Sequence, residues 1–252
     1  MKYFGITETY DPCFVADWET RLLEANVIIS KELSDEMIEK LLIVQDRVIF
    51  HHTVTGQGGS VLEPNVKDAQ HEFNQFVKLF ERGFDITHYV LRIDPMIMIN
   101  PDSMTRIFTV LTLWRDFVRT RNLPKLRVRV SIIDLYEHSI KRMQSAGVEL
   151  AWTSFTAPQI VFDKAAEILQ EYSDVFTFEC CAEQKFKNNF IERCGCVSFK
   201  DLEILKLDKS EYGAPTSKQR QSCMCLAKKQ ILGVKPGRCQ HQCLYCFWYD
   251  NN

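Results

Sequence analysis

Strand and helix patterns alternate along the first 181 residues of this chain. Apolar runs of strand length lie at residues 3–9, 26–30, 48–55, 88–93, 126–133 and 175–180. The segments between them carry apolar residues at helical spacing, at 14–23, 34–42, 69–84, 102–121, 135–147 and 158–172. This alternation is typical of βα units. The sequence therefore predicts an α/β fold with a parallel sheet or (β/α) barrel over residues 1–181.

Polar side chains stand where several of the predicted strands end. In a (β/α) barrel these ends converge on one mouth, which is where such folds place their sites. Arg92 lies on an otherwise apolar strand, so its guanidinium needs an anionic partner, either a bound anion or Asp94. Lys31 allows the same two interpretations, and His52 allows a structural or a catalytic one. The residues grouped in this way include Thr7, Glu8, Thr9, Asp11, Ser30, Lys31, His52, Thr53, Thr55, Arg92 and Asp94.

A glycine-rich stretch, Gly56-Gln57-Gly58-Gly59, follows the third predicted strand. It lacks the Lys-Ser/Thr ending of a phosphate-binding loop and does not lead directly into a helix. We interpret it as a mobile loop.

Composition limits the function classes. The chain has 252 residues, a net charge of −2 and 46% hydrophobic residues, which is ordinary for a globular protein. No apolar run reaches the roughly 18 residues of a membrane span, and the first residues lack a signal peptide, so we expect a cytoplasmic protein with no membrane partner. Only Lys125, Arg127 and Arg129 form a short basic stretch, so nucleic acid is a possible partner that the charge does not indicate.

Cysteines are concentrated near the C-terminus, where nine of the ten follow residue 179. In a cytosolic chain this distribution favours metal binding over disulfides. Residues 182–238 are predicted to be a loop-rich, cysteine-bearing segment, and residues 239–252 a cluster-binding loop that completes the barrel. Cys181, at the end of the predicted barrel, and Cys196, Cys223 and Cys225 in the loop-rich segment form a candidate set for an auxiliary Fe–S cluster or a structural zinc. The alternative is a set of separate reduced cysteines.

Cys239, Cys243 and Cys246 stand in the spacing C-x3-C-x2-C, with Tyr245 directly before the last cysteine. Thiolates suit Fe–S clusters or zinc, and three on one short loop can hold three corners of a four-iron cluster. A closed zinc site would need a fourth protein ligand. His241 is the only local candidate, and a poor one, because it lies between two cysteines of the same tight loop.

This triplet resembles the cluster motif of the radical S-adenosylmethionine superfamily, including the aromatic residue before its third cysteine. The resemblance implies a [4Fe–4S] cluster on Cys239, Cys243 and Cys246 whose open iron binds S-adenosylmethionine. It also implies one-electron reduction by a flavodoxin- or ferredoxin-type donor, and a 5′-deoxyadenosyl radical that takes a hydrogen atom from a substrate. In that superfamily, however, the motif usually follows the first strand of the barrel.

Other segments are similar to the spore photoproduct lyase-like branch of that superfamily, taken from its second strand onward. Its second-strand Asp-Pro motif, followed by a glutamate, resembles residues 6–12 with Glu19. Its Thr-Lys-Ser strand resembles Ser30-Lys31-Glu32, and its Leu-Glu-Pro-Gly turn resembles residues 62–65, where Glu32 and Asn65 depart from the pattern. Residues 91–97 resemble the next strand and its proline.

A motif that comes first in that branch comes last here, so the resemblance implies a circularly permuted, partial TIM-like barrel. The arrangement also resembles an uncharacterised bacterial and phage family that has a Cys-Ala-Glu strand, a C-x-C pair and a terminal C-x3-C-x2-C. In this chain the first two are residues 181–183 and 223–225.

By this resemblance Lys31 faces the S-adenosylmethionine carboxylate, and Thr53, Thr55, Arg92 and Tyr245 line the cofactor site. The substrate, a small molecule or a nucleic acid, is not identified. Two alternatives stay open: a zinc-binding cytosolic α/β interaction module without catalysis, and a degenerate member that keeps a cluster but has lost catalysis.

Overall fold

The computed structural model describes residues 1–215, 222–233 and 239–250. Its strands are β1 (Phe4–Ile6), β2 (Asn26–Ser30), β3 (Val48–Thr53), β4 (Tyr89–Met96), β5 (Leu126–Ile132), β6 (Phe176–Cys180), β7 (Ile191–Arg193) and β8 (Lys229–Ile231). Its α-helices are α1 (Asp35–Val44), α2 (Ala69–Glu81), α3 (Pro101–Thr120), α4 (Glu137–Ser145), α5 (Gln159–Gln170) and α6 (Phe199–Ile204). Among these described helices none is long and apolar enough to cross a membrane.

All eight strands form one parallel sheet in the order β7-β6-β5-β4-β3-β2-β1-β8. Strands β1 to β7 follow one another in chain order, whereas β8 pairs with β1 at the opposite edge, with Lys229 opposite Phe4 and Ile231 opposite Ile6. Within the described residues no hydrogen-bonded ladder joins β7 to β8. The predicted α/β class is confirmed, and the flanked parallel sheet is consistent with a partial (β/α) barrel.

The sheet is buried on both faces, because its strands carry apolar residues on both sides of the pleat. Side chains such as Phe50 and Leu91 pack outward against the helices, with Phe76 and Trp114 among their neighbours in the larger core. Side chains on the opposite face of the sheet pack inward and form a second core. Its members include Phe4, Ile6, Val27, Ile49 and Val90.

Local helix signals agree with the structure in several places. Ser34, the first residue of the predicted helical segment 34–42, caps α1 by accepting a hydrogen bond from the Met37 amide. Gly83, near the end of the predicted helical segment 69–84, follows α2 with a φ of 93°, a conformation that glycine adopts without strain. Helix α3 begins at Pro101, one residue before the predicted segment 102–121. Asn100 is its N-cap, and the side chains of Asn100 and Ser103 each accept a hydrogen bond from the other residue's backbone amide.

The predicted helix at residues 14–23 is wrong. The segment contains two short 3-10 turns, Pro12–Phe14 and Trp18–Arg21. Asp11 accepts a hydrogen bond from the Cys13 amide and fixes the first turn, while Trp18 is only 2% exposed and anchors the second turn in the larger core. The apolar spacing therefore reflects a buried connector between β1 and β2.

The segment 182–238 contains three regular elements in its described part, β7, α6 and β8. The strand that pairs with β1 therefore lies at Lys229–Ile231, ahead of the predicted cluster-binding loop. Three-residue strands carry too short a pattern to be recognised by alternation.

The short basic stretch does not form a surface. Arg127 is paired with Glu179 at 2.9 Å and with Asp201 at 2.9 Å, and Arg129 with Glu179 at 2.8 Å. All four side chains are buried. These guanidiniums neutralise carboxylates inside the sheet, so they offer no contact for a nucleic acid.

Candidate active site and metal centres

One cavity collects most of the residues that the sequence singled out. Residues just after β1 and at the ends of β2, β3 and β4 line it, together with the terminal cysteine loop, which we define as residues 239–246. Carboxyl ends of parallel strands form such sites in this class of fold. The predicted site residues on its wall are Lys31, Thr53, Arg92, Cys239, Cys243, Tyr245 and Cys246.

Thr55 is not among the lining residues. Its side chain is 1% exposed, and its hydroxyl accepts a hydrogen bond from the Gln57 amide at 3.2 Å. It also interacts with the Glu63 carboxylate. Thr55 therefore supports Glu63 and does not lie on the cavity wall.

Asp11 ties the terminal cysteine loop to the first two strands. One carboxylate oxygen accepts from the Cys13 amide at 3.1 Å and the Ser30 hydroxyl at 2.6 Å, and the other accepts from the Lys31 amide at 2.7 Å. The second oxygen also lies 2.8 Å from Nε2 of His241, inside the loop.

The ligand atoms of Asp11, Cys13 and His241 lie within 4.8 Å of one another, close enough to hold a metal ion. Four donors already surround the Asp11 carboxylate, which leaves it little capacity for an ion. We therefore assign Asp11 and His241 to anchoring the loop.

A turn at residues 62–65 holds the same loop from another side. The Leu244 amide donates to the Leu62 carbonyl at 2.9 Å, and the Asn65 amide group donates to the Gln240 carbonyl at 2.7 Å. The Tyr245 hydroxyl donates to Glu63. Asn65, which departs from the motif that this turn resembles, thus has a role of its own here.

Helix α4 provides the next anchor. Arg142 donates from Nε to the Leu244 carbonyl at 3.0 Å and from a terminal nitrogen to the Cys246 carbonyl at 2.6 Å. Two loop carbonyls are thereby directed toward a guanidinium. The loop is held by the β1–β2 region, by the 62–65 turn and by α4, so its cysteines are positioned by many independent contacts.

Lys31, Glu63 and Tyr245 form a buried polar triad at the cavity wall. The Lys31 ammonium lies 2.6 Å from Glu63 and 2.9 Å from the Tyr245 hydroxyl. Burial alone would raise the pKa of Glu63, but the adjacent Lys31 brings that pKa below its usual value. Burial alone would lower the pKa of Lys31, but Glu63 and Cys243 raise it. The lysine is therefore charged, and two of its three donors are used within the described residues.

Arg92 is paired with Asp94, and a terminal nitrogen lies 3.4 Å from the Thr53 hydroxyl. Of the two interpretations made from the sequence, the internal ion pair is the one present. A guanidinium has five donor hydrogens, so this pairing does not by itself preclude a contact with an anion in the cavity.

The three terminal thiols face a common space. Burial raises the pKa of Cys243 despite the nearby Lys31 ammonium, and burial also raises the pKa of Cys239. The three sulfurs of this triplet do not all lie within 4.8 Å of one another. Four thiolates on one zinc would stand about 3.8 Å apart, given a Zn–S bond of roughly 2.3 Å and tetrahedral angles. At least one pair of the triplet's sulfurs therefore stands farther apart than two thiolates on one zinc would.

A second set of thiols is compact. The sulfurs of Cys181, Cys196 and Cys225 all lie within 4.8 Å of one another, and those of Cys181 and Cys225 are 4.0 Å apart. Hydrogen bonds from Cys181 and Cys225 hold the pKa of Cys196 well below its usual range. This compact cysteine group could hold a metal. Cys223, the fourth member of the set predicted from sequence, is not part of it.

The two neighbouring histidines of β3 are separated by the pleat. His52 contacts Glu72 of α2 at 2.9 Å and the Tyr89 hydroxyl at 3.0 Å. It therefore lies on the helix side of the sheet as a structural residue, and its predicted place at the mouth is wrong. His51 faces inward, where Arg129 and Arg127 add to burial in lowering its pKa well below the usual value.

The glycine-rich stretch is packed rather than mobile. Gly56, Gln57 and Gly58 are buried, and a Cβ on Gly58 would stand 1.8 Å from the Lys67 carbonyl oxygen. The Gly59 amide donates to the carbonyls of Glu63 and Val66 at 3.1 and 2.8 Å. Its role is to support the turn that holds the terminal cysteine loop.

Sequence reasoning missed most of the anchoring residues: His241, Glu63, Asn65 and Arg142. Glu63 and Asn65 belong to a turn whose resemblance to a known motif was noted from the sequence. That motif does not indicate long-range contacts, whereas Glu63 contacts Tyr245, 182 residues further along the chain. Arg142 lies on an amphipathic helix among other charged residues, where it carries no distinguishing signal.

The fold and site define an α/β protein with an open parallel sheet and two cysteine-bearing centres. A family model described as "Domain of unknown function (DUF1848)" matches residues 9–248, and the chain belongs to that family. Comparisons with curated proteins and with solved structures find no match.

Proposed function

We propose that this protein is a radical S-adenosylmethionine enzyme in which Cys239, Cys243 and Cys246 hold a [4Fe–4S] cluster. The observation that supports it most is the placement of all three thiols on one cavity wall with Lys31 and Arg92, at the carboxyl ends of parallel strands. When bound, such a cluster leaves one iron open for S-adenosylmethionine, whose reductive cleavage yields a 5′-deoxyadenosyl radical that takes a hydrogen atom from a substrate.

The position of β8 supports a circularly permuted barrel. The strand directly before the terminal cysteine loop pairs in parallel with β1. In a barrel whose cluster loop follows the first strand, that first strand lies beside the second one in the same way. β8 and its loop thus take the place of a first strand, although they come last in the chain.

Each lining residue has a role in this proposal. Lys31 keeps its charge beside Glu63 and directs its third donor to the carboxylate of S-adenosylmethionine. Arg92 contributes a second cation, positioned by Asp94 and Thr53. Tyr245 orders the loop through Glu63. The loop anchors keep the thiols in place.

The proposed partners are S-adenosylmethionine, a flavodoxin- or ferredoxin-type electron donor and an unidentified substrate, and the proposed location is the cytoplasm. A small molecule fits better than a nucleic acid, because Arg127 and Arg129 are buried in ion pairs.

The test is electron paramagnetic resonance on anaerobically reconstituted, dithionite-reduced protein, with and without S-adenosylmethionine. We expect a [4Fe–4S]+ signal that changes on adding the cofactor and disappears in Cys243→Ala, together with release of 5′-deoxyadenosine. Cys223→Ala, outside both groups of thiols described above, is the matched control and should keep the signal. A cluster signal indifferent to the cofactor would support the degenerate form, with no catalysis.

The compact cysteine group favours a second candidate, a zinc-binding interaction module without catalysis. It predicts colourless protein that contains zinc but no iron after anaerobic reconstitution with both metals. That result would overturn the enzyme proposal.

A further inference from the structure

The compact cysteine group lies at the seam between the two edge strands of the sheet. Cys181 directly follows β6, Cys196 lies between β7 and α6, and Cys225 precedes β8. Strands β7 and β8 are the two edges, and among the described residues no ladder connects them. The three thiols therefore come from both sides of the opening.

Backbone contacts already draw these segments together. The Leu226 amide donates to the Val197 carbonyl at 3.0 Å, and the Cys196 amide donates to the Cys225 sulfur at 3.1 Å. A Cβ on Gly195 would stand 2.5 Å from the Met224 carbonyl oxygen, so the approach of the two segments requires glycine there. The sulfurs are thus brought together by a close backbone fit.

We propose that Cys181, Cys196 and Cys225 bind a single zinc ion that closes the seam of the barrel between β7 and β8. This inference does not depend on the terminal cysteine loop or on the proposed enzyme activity.

The spacing of the sulfurs favours one ion over a cluster. Cys181 and Cys225 sulfurs are 4.0 Å apart, close to the roughly 3.8 Å that two thiolates show on one tetrahedral zinc. The cysteines of a [4Fe–4S] cluster each bind a different iron, so their sulfurs stand farther apart than sulfurs that share one metal. The terminal triplet, which does not meet the same distance limit, provides the contrast within this chain.

The surrounding charge is suited to a metal with three thiolates, which has a net charge of −1 with Zn²⁺. Arg129 donates to the Cys194 sulfur at 3.7 Å and to the Gly195 carbonyl at 2.7 Å. Lys229 interacts electrostatically with Cys225 and Cys196, besides its pairing with Glu8. Cys194, which Arg129 contacts, lies two residues before Cys196.

A structural ion here would join two edge strands that no ladder connects within the described part of the chain. A metal that joins three separate segments restricts the unfolded chain and adds its binding free energy to folding. Unpaired strand edges are also sites of unwanted association. The zinc would therefore hold β6, β7 and the segment before β8 in one arrangement.

The experiment uses the full chain with Cys239→Ala, Cys243→Ala and Cys246→Ala combined, so that the terminal loop cannot bind metal. Zinc, iron and acid-labile sulfide are measured after purification from medium supplemented with both metals. We expect about one zinc per chain and no sulfide. Adding Cys181→Ser should remove the zinc. Adding Cys180→Ser should not, because Cys180 is adjacent in sequence but packs in the opposite core.

Hydrogen exchange gives a second readout on the same background, in case Cys181→Ser does not fold. Removing zinc with a chelator should increase exchange of the Leu226 amide at the seam and leave amides between β3 and β4 unchanged. Iron with stoichiometric sulfide, a Cys181–Cys225 disulfide with no metal, or zinc retained in Cys181→Ser would each overturn the proposal. Loss of the paramagnetic signal in the wild-type chain with zinc retained would count against the proposed enzyme alone.

Discussion

Asp11 and His241 lie 230 residues apart in sequence, and their side chains are in contact at 2.8 Å. This contact joins the segment between β1 and β2 to the terminal cysteine loop. The same carboxylate also holds the Lys31 amide at 2.7 Å. A single side chain thus fixes the relative positions of the lysine and the cysteines that share the cavity.

Asp11→Asn should lower both stability and metal retention. An amide cannot accept four hydrogen bonds, so at least one buried donor loses its partner, at a cost of about 1 to 3 kcal/mol in the free energy of unfolding. Urea unfolding and the iron content after reconstitution check this. Asp17→Asn is the matched control, because Asp17 is exposed and its ion pair among the described residues is with Arg21 of its own turn. Equal stability of the two variants would contradict the anchoring role.

Lys31→Met should be strongly destabilising, since it leaves the Glu63 carboxylate buried with no cation. Removing one partner of a buried pair costs about 3 to 5 kcal/mol. The double variant Lys31→Met/Glu63→Gln should recover most of that loss, because no buried charge remains. Denaturant unfolding of the three variants measures the coupling.

Lys78→Met is the control, because it removes a lysine from an exposed ion pair with Asp35. Its expected effect on the free energy of unfolding is below about 1 kcal/mol. If the double variant were no more stable than Lys31→Met, the charge of Glu63 would not be the cause.

Stability should fall on acidification in a way that depends on Glu63. The pKa of this carboxyl lies below its ordinary value of 4.5, since Lys31 overcomes the effect of burial. The folded state therefore binds fewer protons than the unfolded state. The contribution is fully present above about pH 4.5 and is lost as the pH falls through the lowered pKa. Urea midpoints between about pH 6 and pH 3 should decline less steeply in Glu63→Gln than in wild type. Parallel curves would show that the Glu63 pKa is not depressed.

Gly58→Ala should disturb the terminal cysteine loop from a distance. The new methyl group would stand 1.8 Å from a backbone oxygen of Lys67, so the local backbone has to move, and with it the contacts of Gly59 to Glu63 and Val66. The cost is about 3 kcal/mol, the upper end of the usual range for overpacking. Thermal unfolding and iron retention should both decrease. Gly83→Ala, with open space around the new methyl group but a φ of 93°, should cost only about 1 to 2 kcal/mol and leave iron retention unchanged. Full iron retention in Gly58→Ala would refute the proposed support.

The central strands and long helices were predictable, because their patterns are long and their caps are local. Strand β2 begins and ends where the apolar run 26–30 does. Ser34 is a local signal that needs no tertiary information. By contrast, β3 is buried on both faces, so the run Val48–Thr53 shows no alternation that would separate His51 from His52.

The cysteine chemistry was predictable in type and only partly in geometry. Spacing within one loop brought Cys239, Cys243 and Cys246 together, as a short turn must. Cys181, Cys196 and Cys225 come together only because β6, β7 and β8 occupy particular places in the sheet, and the strand order is not encoded in any local spacing. The same limit explains why Cys223 could not be separated from Cys225.

The anchors of the terminal cysteine loop have a consequence for biosynthesis. Asp11, Lys31, Glu63 and Asn65 are all made early, whereas the three cysteines are among the last residues described. Because a chain is synthesised from its N-terminus and its domains generally begin folding in that order, much of the receiving surface is translated before any of these thiols leaves the ribosome. The thiols can then dock onto a framework already made, which shortens the time in which they are exposed to adventitious metals or oxidants.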